Sequence, residues 1–396
     1  MNDPLLAFRP EFPILERTNY LVSNSLGAMP RTVPDRLAQY VDEWAELGVK
    51  AWARGWWEMP VTVGDEIAPL IGAGRGEVAM VPNVTIAQAT VLSALDYPAT
   101  RNRIVMTGLD FPSVRYMYDG LATRLGAEIH VVPSDDGVEI DLNRLIEAID
   151  ERTRLVAISH VLFRSASVVD VAAVCQRAKV VGALVSLDGF HAVGVMPVNV
   201  KSIGVDFYSG GVLKWLCGGP GGCFLYVSPE QSSRLAPSLT GWQAHAKPFA
   251  FEDEMSSATG AWRWLNGTPS IPSLYAATEG PRIIRRAGID AIRSKSVRQT
   301  SRIIELADAR GYRVVAPRDP ARRGGTVALD LPNAFEISQL LLARGVIVDY
   351  RPGAGIRIAP HFYTMDSELD DAIDLIDESL RSGSWSQFRG TKATVT

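Results

Sequence analysis

Three separated side chains in this 396-residue sequence could do chemistry together: Asp188, Lys214 and Arg357. Lys214 sits in SGGVLKWLCGGPGG, flanked by Val, Leu, Trp and Leu. A lysine desolvated among such neighbours has a lowered pKa and supplies a free amine, the form that builds a Schiff base. The alternative is a lysine whose stem lies on apolar surface while its ammonium reaches water. The glycines on both sides favour the functional reading, because GGPGG lets backbone approach a ligand or a neighbouring chain closely. Asp188 lies in LVSLDGFHAVG, at the C-terminal end of an apolar run. Open α/β sheets place their ligands there, and an Asp opening a turn before Gly189 fits equally well. Arg357, in GIRIAPHFYT, is an arginine inside an apolar run and needs an anion. A substrate carboxylate held by two N–H groups and an intramolecular ion pair both satisfy that need.

The elements that must position these residues are short apolar runs: 77–82, 103–108, 128–133, 154–161, 183–189, 205–211 and 222–227. Most are rich in Val and Ile and end in Gly, Pro or Ser, as buried strands do. Amphipathic stretches of helical length lie between most of them, which predicts a mostly parallel seven-stranded sheet covered by helices. The last two runs are joined by only a short stretch through Lys214. A parallel crossover needs a dozen or more residues, so that pair is expected to be antiparallel. A long helix is expected from about 275 to 309, followed by a smaller α+β domain. The expected division is an arm and helix over 1–50, a large domain over 51–275 and a small domain over 276–396.

Composition narrows the function classes. The net charge is −4 and no long basic run occurs, so nucleic-acid binding is not expected. No run of about 18 apolar residues predicts a membrane span, and the N-terminus lacks the pattern of a secretory signal, so the chain reads as cytoplasmic. Cys175, Cys217 and Cys223 are too few, and too poor in His or Cys neighbours, for a disulfide framework or a metal site. Trp52, Trp56 and Trp57 could line an entrance or pack the N-terminal helix, and packing is the favoured reading.

Motifs along nearly the whole chain resemble the kynureninase-like branch of the class V aminotransferase-fold (fold type I) enzymes, which use pyridoxal 5'-phosphate. They are NSLGAMPR (24–31), NVTIAQ (83–88), FPSVRY (111–116), DGFHAVG (188–194), KWLCGGPGG (214–222), LTGWQAHAKPFAFE (239–252), GTPSIPSL (267–274) and IRIAPHFYT (356–364). The resemblance implies that Lys214 holds the cofactor as a Schiff base and that Asp188 keeps its pyridine nitrogen protonated. It implies Phe111 stacked on the ring, His191 beside it, and Thr85 with the Val84 amide on the phosphate. Trp242 and Thr268 would reach the phosphate of a neighbouring subunit, which implies a homodimer. Arg357 would hold the α-carboxylate of an amino-acid substrate, with Ser25 close by.

The chain departs from that pattern beside the lysine. Leu213 stands where kynureninases carry Tyr, and Val212 where a small hydroxyl is usual. Phe163 and Arg164 replace an aromatic and a small polar residue in the stretch after the fourth run. The cofactor apparatus is kept while groups that serve kynurenine hydrolysis are altered. A lyase that breaks a bond to the β-carbon, C–S in preference to C–C, is therefore expected. Decarboxylation with deamination, kynureninase-type hydrolysis and amino transfer are the alternatives. Cysteine desulfurase chemistry is disfavoured, because no cysteine follows Cys223.

Overall fold

The computed structural model describes residues 3–391. Its centre is a seven-stranded sheet made of β1 (Val78–Val81), β2 (Arg103–Thr107), β3 (Glu128–Val132), β4 (Thr153–Ser159), β5 (Leu184–Asp188), β6 (Phe207–Gly211) and β7 (Cys223–Val227). The spatial order is β1-β7-β6-β5-β4-β2-β3. Only β7 runs against its neighbours, in register Gly211↔Cys223 with β6 and Val81↔Cys223 with β1. The expected antiparallel pair around Lys214 is thus present, and six C-terminal strand ends share one edge. Both faces are covered, which explains why the runs are apolar without alternation. Ile104, Met106, Leu155 and Ala157 pack under the helices Val84–Ser93 (α1) and Pro112–Ala122 (α2). Val105, Val156, Ile158, Val185 and Leu187 face the opposite layer, which includes the helix Val171–Val181 (α3).

A second sheet has four antiparallel strands: β8 (Arg313–Val314), β9 (Val327–Asp330), β10 (Asp349–Arg351) and β11 (Gly355–Ile358), in the order β10-β11-β9-β8. Helices Ile289–Asp308, Ala334–Ala343 and Asp366–Ser382 close its core around Leu329, Ile356 and Ile373. The single long helix expected over 275–309 is instead three: Ile271–Ala277, Glu279–Ala287 and Ile289–Asp308. The last break falls at Gly288, whose φ of 83° leaves the helical region; apolar periodicity alone does not register such a break.

The N-terminal arm ties the two sheets together. Asn19–Tyr20 pairs in parallel with Val346–Ile347 beside the small sheet, and the turn that follows lies under the lysine segment. Gly27 donates its N–H to the Leu213 carbonyl at 2.7 Å. A Cβ on Gly27 would stand 2.1 Å from the Lys214 carbonyl oxygen, so backbone meets backbone here and only glycine fits. Trp56 packs on Tyr40 and donates to Glu43 and Tyr275, which makes it a packing residue. Gly27→Ala is expected to destabilise the protein by about 1–3 kcal/mol. A urea midpoint lower than wild type checks this, and an unchanged midpoint would show that the contact yields freely.

Candidate active site

Lys214 follows β6 in the tight connection to β7, where Gly219 and Gly221 take positive φ values of 71° and 94°. Its amine is hydrogen-bonded to His191 Nε2 at 2.7 Å and lies 5.5 Å from the Phe111 ring centre and 5.1 Å from that of Phe190. Burial among these groups, reinforced by the nearby Arg357 guanidinium, pushes its pKa down to about 7. His191 is buried and held well below its ordinary pKa, by burial first and then by the Lys214 charge. A neutral imidazole therefore faces the lysine and can accept its N–H.

Asp188 ends β5, the strand next to β6. It is buried, and its Oδ1 accepts the Phe190 N–H at 2.9 Å. No donor among the described residues reaches Oδ2. Burial raises this carboxyl to about 6, against the opposing pull of Lys214. A cationic N–H arriving at Oδ2 would restore the charged form. Gly189 leaves no room for a side chain, since a Cβ there would meet the Tyr208 ring at 2.2 Å. Tyr208 in turn shares a 2.9 Å hydrogen bond with His160 Nδ1.

The strand ends around this pair carry the other expected residues. Phe111 caps α2, and Phe163 meets its ring edge-on at 5.2 Å. Val84 and Thr85 open α1 after β1. Asn83 caps the helix through the Ile86 N–H, and the first-turn amides at 84 and 85 have no partner within the helix, an arrangement that suits phosphate. Gln88, one turn on, anchors this helix by bonding Ser209, Ser186 and Tyr118. Ser25 is half-buried in the turn over the lysine segment.

Three expected residues have partners or surroundings of their own. The Arg357 guanidinium is already committed: Nε donates to Asp349 Oδ1 at 2.8 Å, Nη2 to Asp349 Oδ2, and Nη1 to the Phe163 carbonyl at 2.5 Å. The intramolecular ion pair is what forms, because both groups are buried and each would otherwise be an uncompensated charge. One N–H on each terminal nitrogen is left for a ligand. Trp242 and Thr268 are not joined to Lys214, Asp188 or His191 by any hydrogen bond or ring contact among the described residues. Trp242 is 42% exposed and packs with Trp57, Phe249 and Phe251. Thr268 is exposed and lines a separate depression with Ile86, Gly221 and Gln243.

The sequence reading gave no role to four residues that the fold brings here. Asp110 accepts N–H groups from Thr107 and Ser159 at 2.7 Å each, clamping the ends of β2 and β4 beside Phe111. Asp349 and Arg351 add charge near Lys214. Asn24 is fully buried, with neither side-chain atom paired among the described residues. Two of them carried a signal: Asp110 as an acid directly preceding FPS, and Asn24 as the first residue of NSLGAMPR.

Residues 19–357 match the class-V aminotransferase family. The chain is 32% identical to a kynureninase of Burkholderia pseudomallei (strain 1106a), over 100% of this chain and 97% of that one. It is 33% identical to a kynureninase of Pseudomonas fluorescens, over 97% and 94%. The chain belongs to the class-V aminotransferase family. It is a pyridoxal-phosphate-dependent enzyme. The fold superposes on a cysteine desulfurase from Thermococcus onnurineus NA1 with a TM-score of 0.84 at 21% identity, covering 96% of this chain and 99% of that one. A cystine C–S lyase complexed with cysteine persulfide gives 0.82 at 19%, covering 92% and 99%. This class-V chain thus has the fold-type-I architecture that its motifs imply. No helix among the described residues is long and apolar enough to cross a membrane.

The amine of Lys214 is expected to react with a small aldehyde in the apoprotein with a midpoint near pH 7, where an ordinary lysine needs about 10.5. Borohydride trapping with peptide mass analysis across pH measures it. Asp349 holds the Lys214 pKa up, so Asp349→Asn is expected to move the midpoint to lower pH. A midpoint above 9 in the wild-type protein would show that the amine is not desolvated.

Proposed function

We propose that the enzyme is a lyase that cleaves the C–S bond of an S-substituted L-cysteine or a related amino-acid conjugate, releasing a thiol, pyruvate and ammonia. The carrying observation is Leu213, a hydrocarbon placed directly before Lys214, with the buried Val212 before it. Among the described residues, the group hydrogen-bonded to the Lys214 amine is a neutral His191. The chain therefore offers a proton acceptor for the α-carbon but no hydroxyl flanking the lysine in sequence. A thiolate leaves without being protonated, whereas departure of a carbanion from a hydrated ketone calls for general acid–base help worth about a hundredfold or more.

In this reading the bound cofactor supplies an electron sink for the substrate α-carbon. Lys214 would anchor it covalently, and as a free amine its Nζ would accept the α-proton. His191 orients that amine by accepting its N–H. Asp188 would receive the ring N–H at its open Oδ2 and keep that nitrogen charged. Phe111 would cover the ring, and the amides of Val84 and Thr85 with the Thr85 hydroxyl would receive the phosphate. The remaining N–H pair of Arg357 takes the substrate carboxylate near Ser25. The fit rests on the desolvated amine, the unpaired carboxylate oxygen and the open helix N-terminus lying along one sheet edge.

Hydrolytic C–C cleavage is the second reading, favoured by the name kynureninase borne by relatives that match the full chain. Product analysis separates the two. Pyruvate and free thiol from S-substituted cysteines are expected, with kcat/KM on kynurenine at least about a hundredfold lower. Efficient conversion of kynurenine to anthranilate and alanine would overturn the proposal, and carbon dioxide release with an amine or aldehyde product would assign decarboxylation instead. Lys214→Ala is expected to abolish the borohydride-bleachable visible absorbance of the holoenzyme, and retention of that absorbance would move the anchor to another lysine.

A homodimer completes the proposal. The helix Val33–Leu47 presents Leu37, Val41 and Trp44 to solvent at helical spacing, with Trp44 60% exposed, a stripe that association would cover. Around Trp242 and Thr268, Thr240 Oγ1, Gln243 Nε2 and Asn266 Oδ1 are buried without partners, so a ligand from a second chain's site would satisfy them. Sedimentation at micromolar concentration is expected to give twice the 43.1 kDa chain mass. A monomer that turns over substrate would contradict it.

A further inference from the structure

Beyond the anchor, base and carboxylate site, one cation near this edge has no assigned work. Arg164 sits at the tip of a tight loop closed by the bridge Val161↔Val168 and by the Leu162 N–H on the Ser167 carbonyl at 2.8 Å. The loop is rigidly made: Ser165 Oγ donates to the Val138 carbonyl at 2.6 Å, and Ala166 accepts a left-handed φ of 57°. Holding a non-glycine residue there costs on the order of 1 kcal/mol, which the surrounding bonds offset. The guanidinium carbon of Arg164 lies 5.2 Å from the Phe163 ring centre. Phe163 meets Phe111 edge-on, and Phe111 lies over the Lys214 amine. Arg164 also reaches the loop between β10 and β11, with Nη1 4.0 Å from where a Cβ on Gly353 would stand.

No carboxylate among the described residues lies within ion-pair distance of Arg164, and its Nε is buried without a hydrogen-bond partner. Arginines near the surface usually find a carboxylate or carbonyl, and 28 ion pairs are made among the described residues, none of them by Arg164. A cation fixed on an aromatic face, half-buried and lacking an anion, is suited to bind one.

We infer that Arg164 is a specificity-determining residue that selects substrates whose side chain ends in an anionic group, a carboxylate in the simplest case. The inference rests on the proposed amino-acid conjugate substrate: the Arg357 side holds the α-carboxylate, the bond to the β-carbon lies at Lys214, and the departing group extends past Phe163 to Arg164. The leaving thiol would then carry a carboxylate of its own.

The test compares two conjugates of equal shape, S-(2-carboxyethyl)-L-cysteine and S-(2-carbamoylethyl)-L-cysteine, with the holoenzyme. The ratio of their kcat/KM values is expected to favour the carboxylate in wild type, to fall about ten- to hundredfold in Arg164→Gln and to be largely kept in Arg164→Lys. A wild-type ratio near one, or a ratio that Arg164→Gln leaves unchanged, overturns the inference while leaving C–S cleavage intact. Calorimetric binding of glutarate and butyrate to the same holoenzymes gives a readout independent of the reaction. If neither conjugate is cleaved, tighter glutarate binding that is lost in Arg164→Gln supports the inference and removes the lyase reading. Equal binding of the two acids in wild type removes the inference as well.

Discussion

The constraint on which the site depends is the desolvation of one amine. Lys214 is useful only as a free base, and the fold secures that by enclosing it between Phe111 and Phe190 and adding the positive charge of Arg357. An enclosed cation is costly, so the pKa falls to about 7 and a large share of the amine is free at neutral pH. The geometry that encloses the amine also sets its direction, because His191 Nε2 at 2.7 Å is the acceptor its N–H finds. Burial of His191 then prevents the imidazole from competing for the proton.

That enclosure requires several chain segments to converge without slack, which accounts for much of the surrounding structure. The lysine segment is pinned from below by Gly27 and from the side by Gly218, whose N–H bonds the Val212 carbonyl at 2.8 Å. Asp188 and Lys214 follow adjacent parallel strands, so the register Asp188↔Ser209 fixes their separation. Asp110 ties the ends of β2 and β4 and thereby sets Phe111 over the amine. The small sheet enters through Arg357, whose bond to the Phe163 carbonyl joins β11 to the loop after β4. A shift between the two sheets is therefore felt at the lysine through both the electrostatic field and the aromatic wall.

Much of this was legible in the sequence, and for identifiable reasons. Seven apolar runs bounded by turn residues announce strands buried on both faces, and the short span through Lys214 leaves only an antiparallel return. Asp188, His191, Phe111 and Lys214 are local to those strand ends, so motif and fold agree about them. What stayed hidden depends on long-range pairing. Arg357 shows its need for an anion in sequence, but nothing there reveals that Asp349, eight residues earlier across a hairpin, meets it. The helix break at Gly288 is a backbone angle inside an otherwise periodic stretch. Trp242 and Thr268 lie apart from Lys214 in their own chain, which agrees with motifs that imply a role toward a neighbouring subunit.

The charge arrangement has a further consequence for ligand order. Arg357 is bound to the Asp349 carboxylate, while burial raises the Asp188 carboxyl to about 6. A ligand bringing a phosphate to the amides of Val84 and Thr85 and a cationic ring nitrogen to Asp188 would favour the charged form of that carboxyl. The site without such a ligand therefore keeps one poorly solvated acid. In the proposed arrangement a ring cation at Asp188 would relieve that cost, whereas an amino-acid carboxylate arriving alone at Arg357 would leave it in place. Cofactor binding ahead of substrate would then follow from the field of the site, independent of which bond to the β-carbon is finally broken.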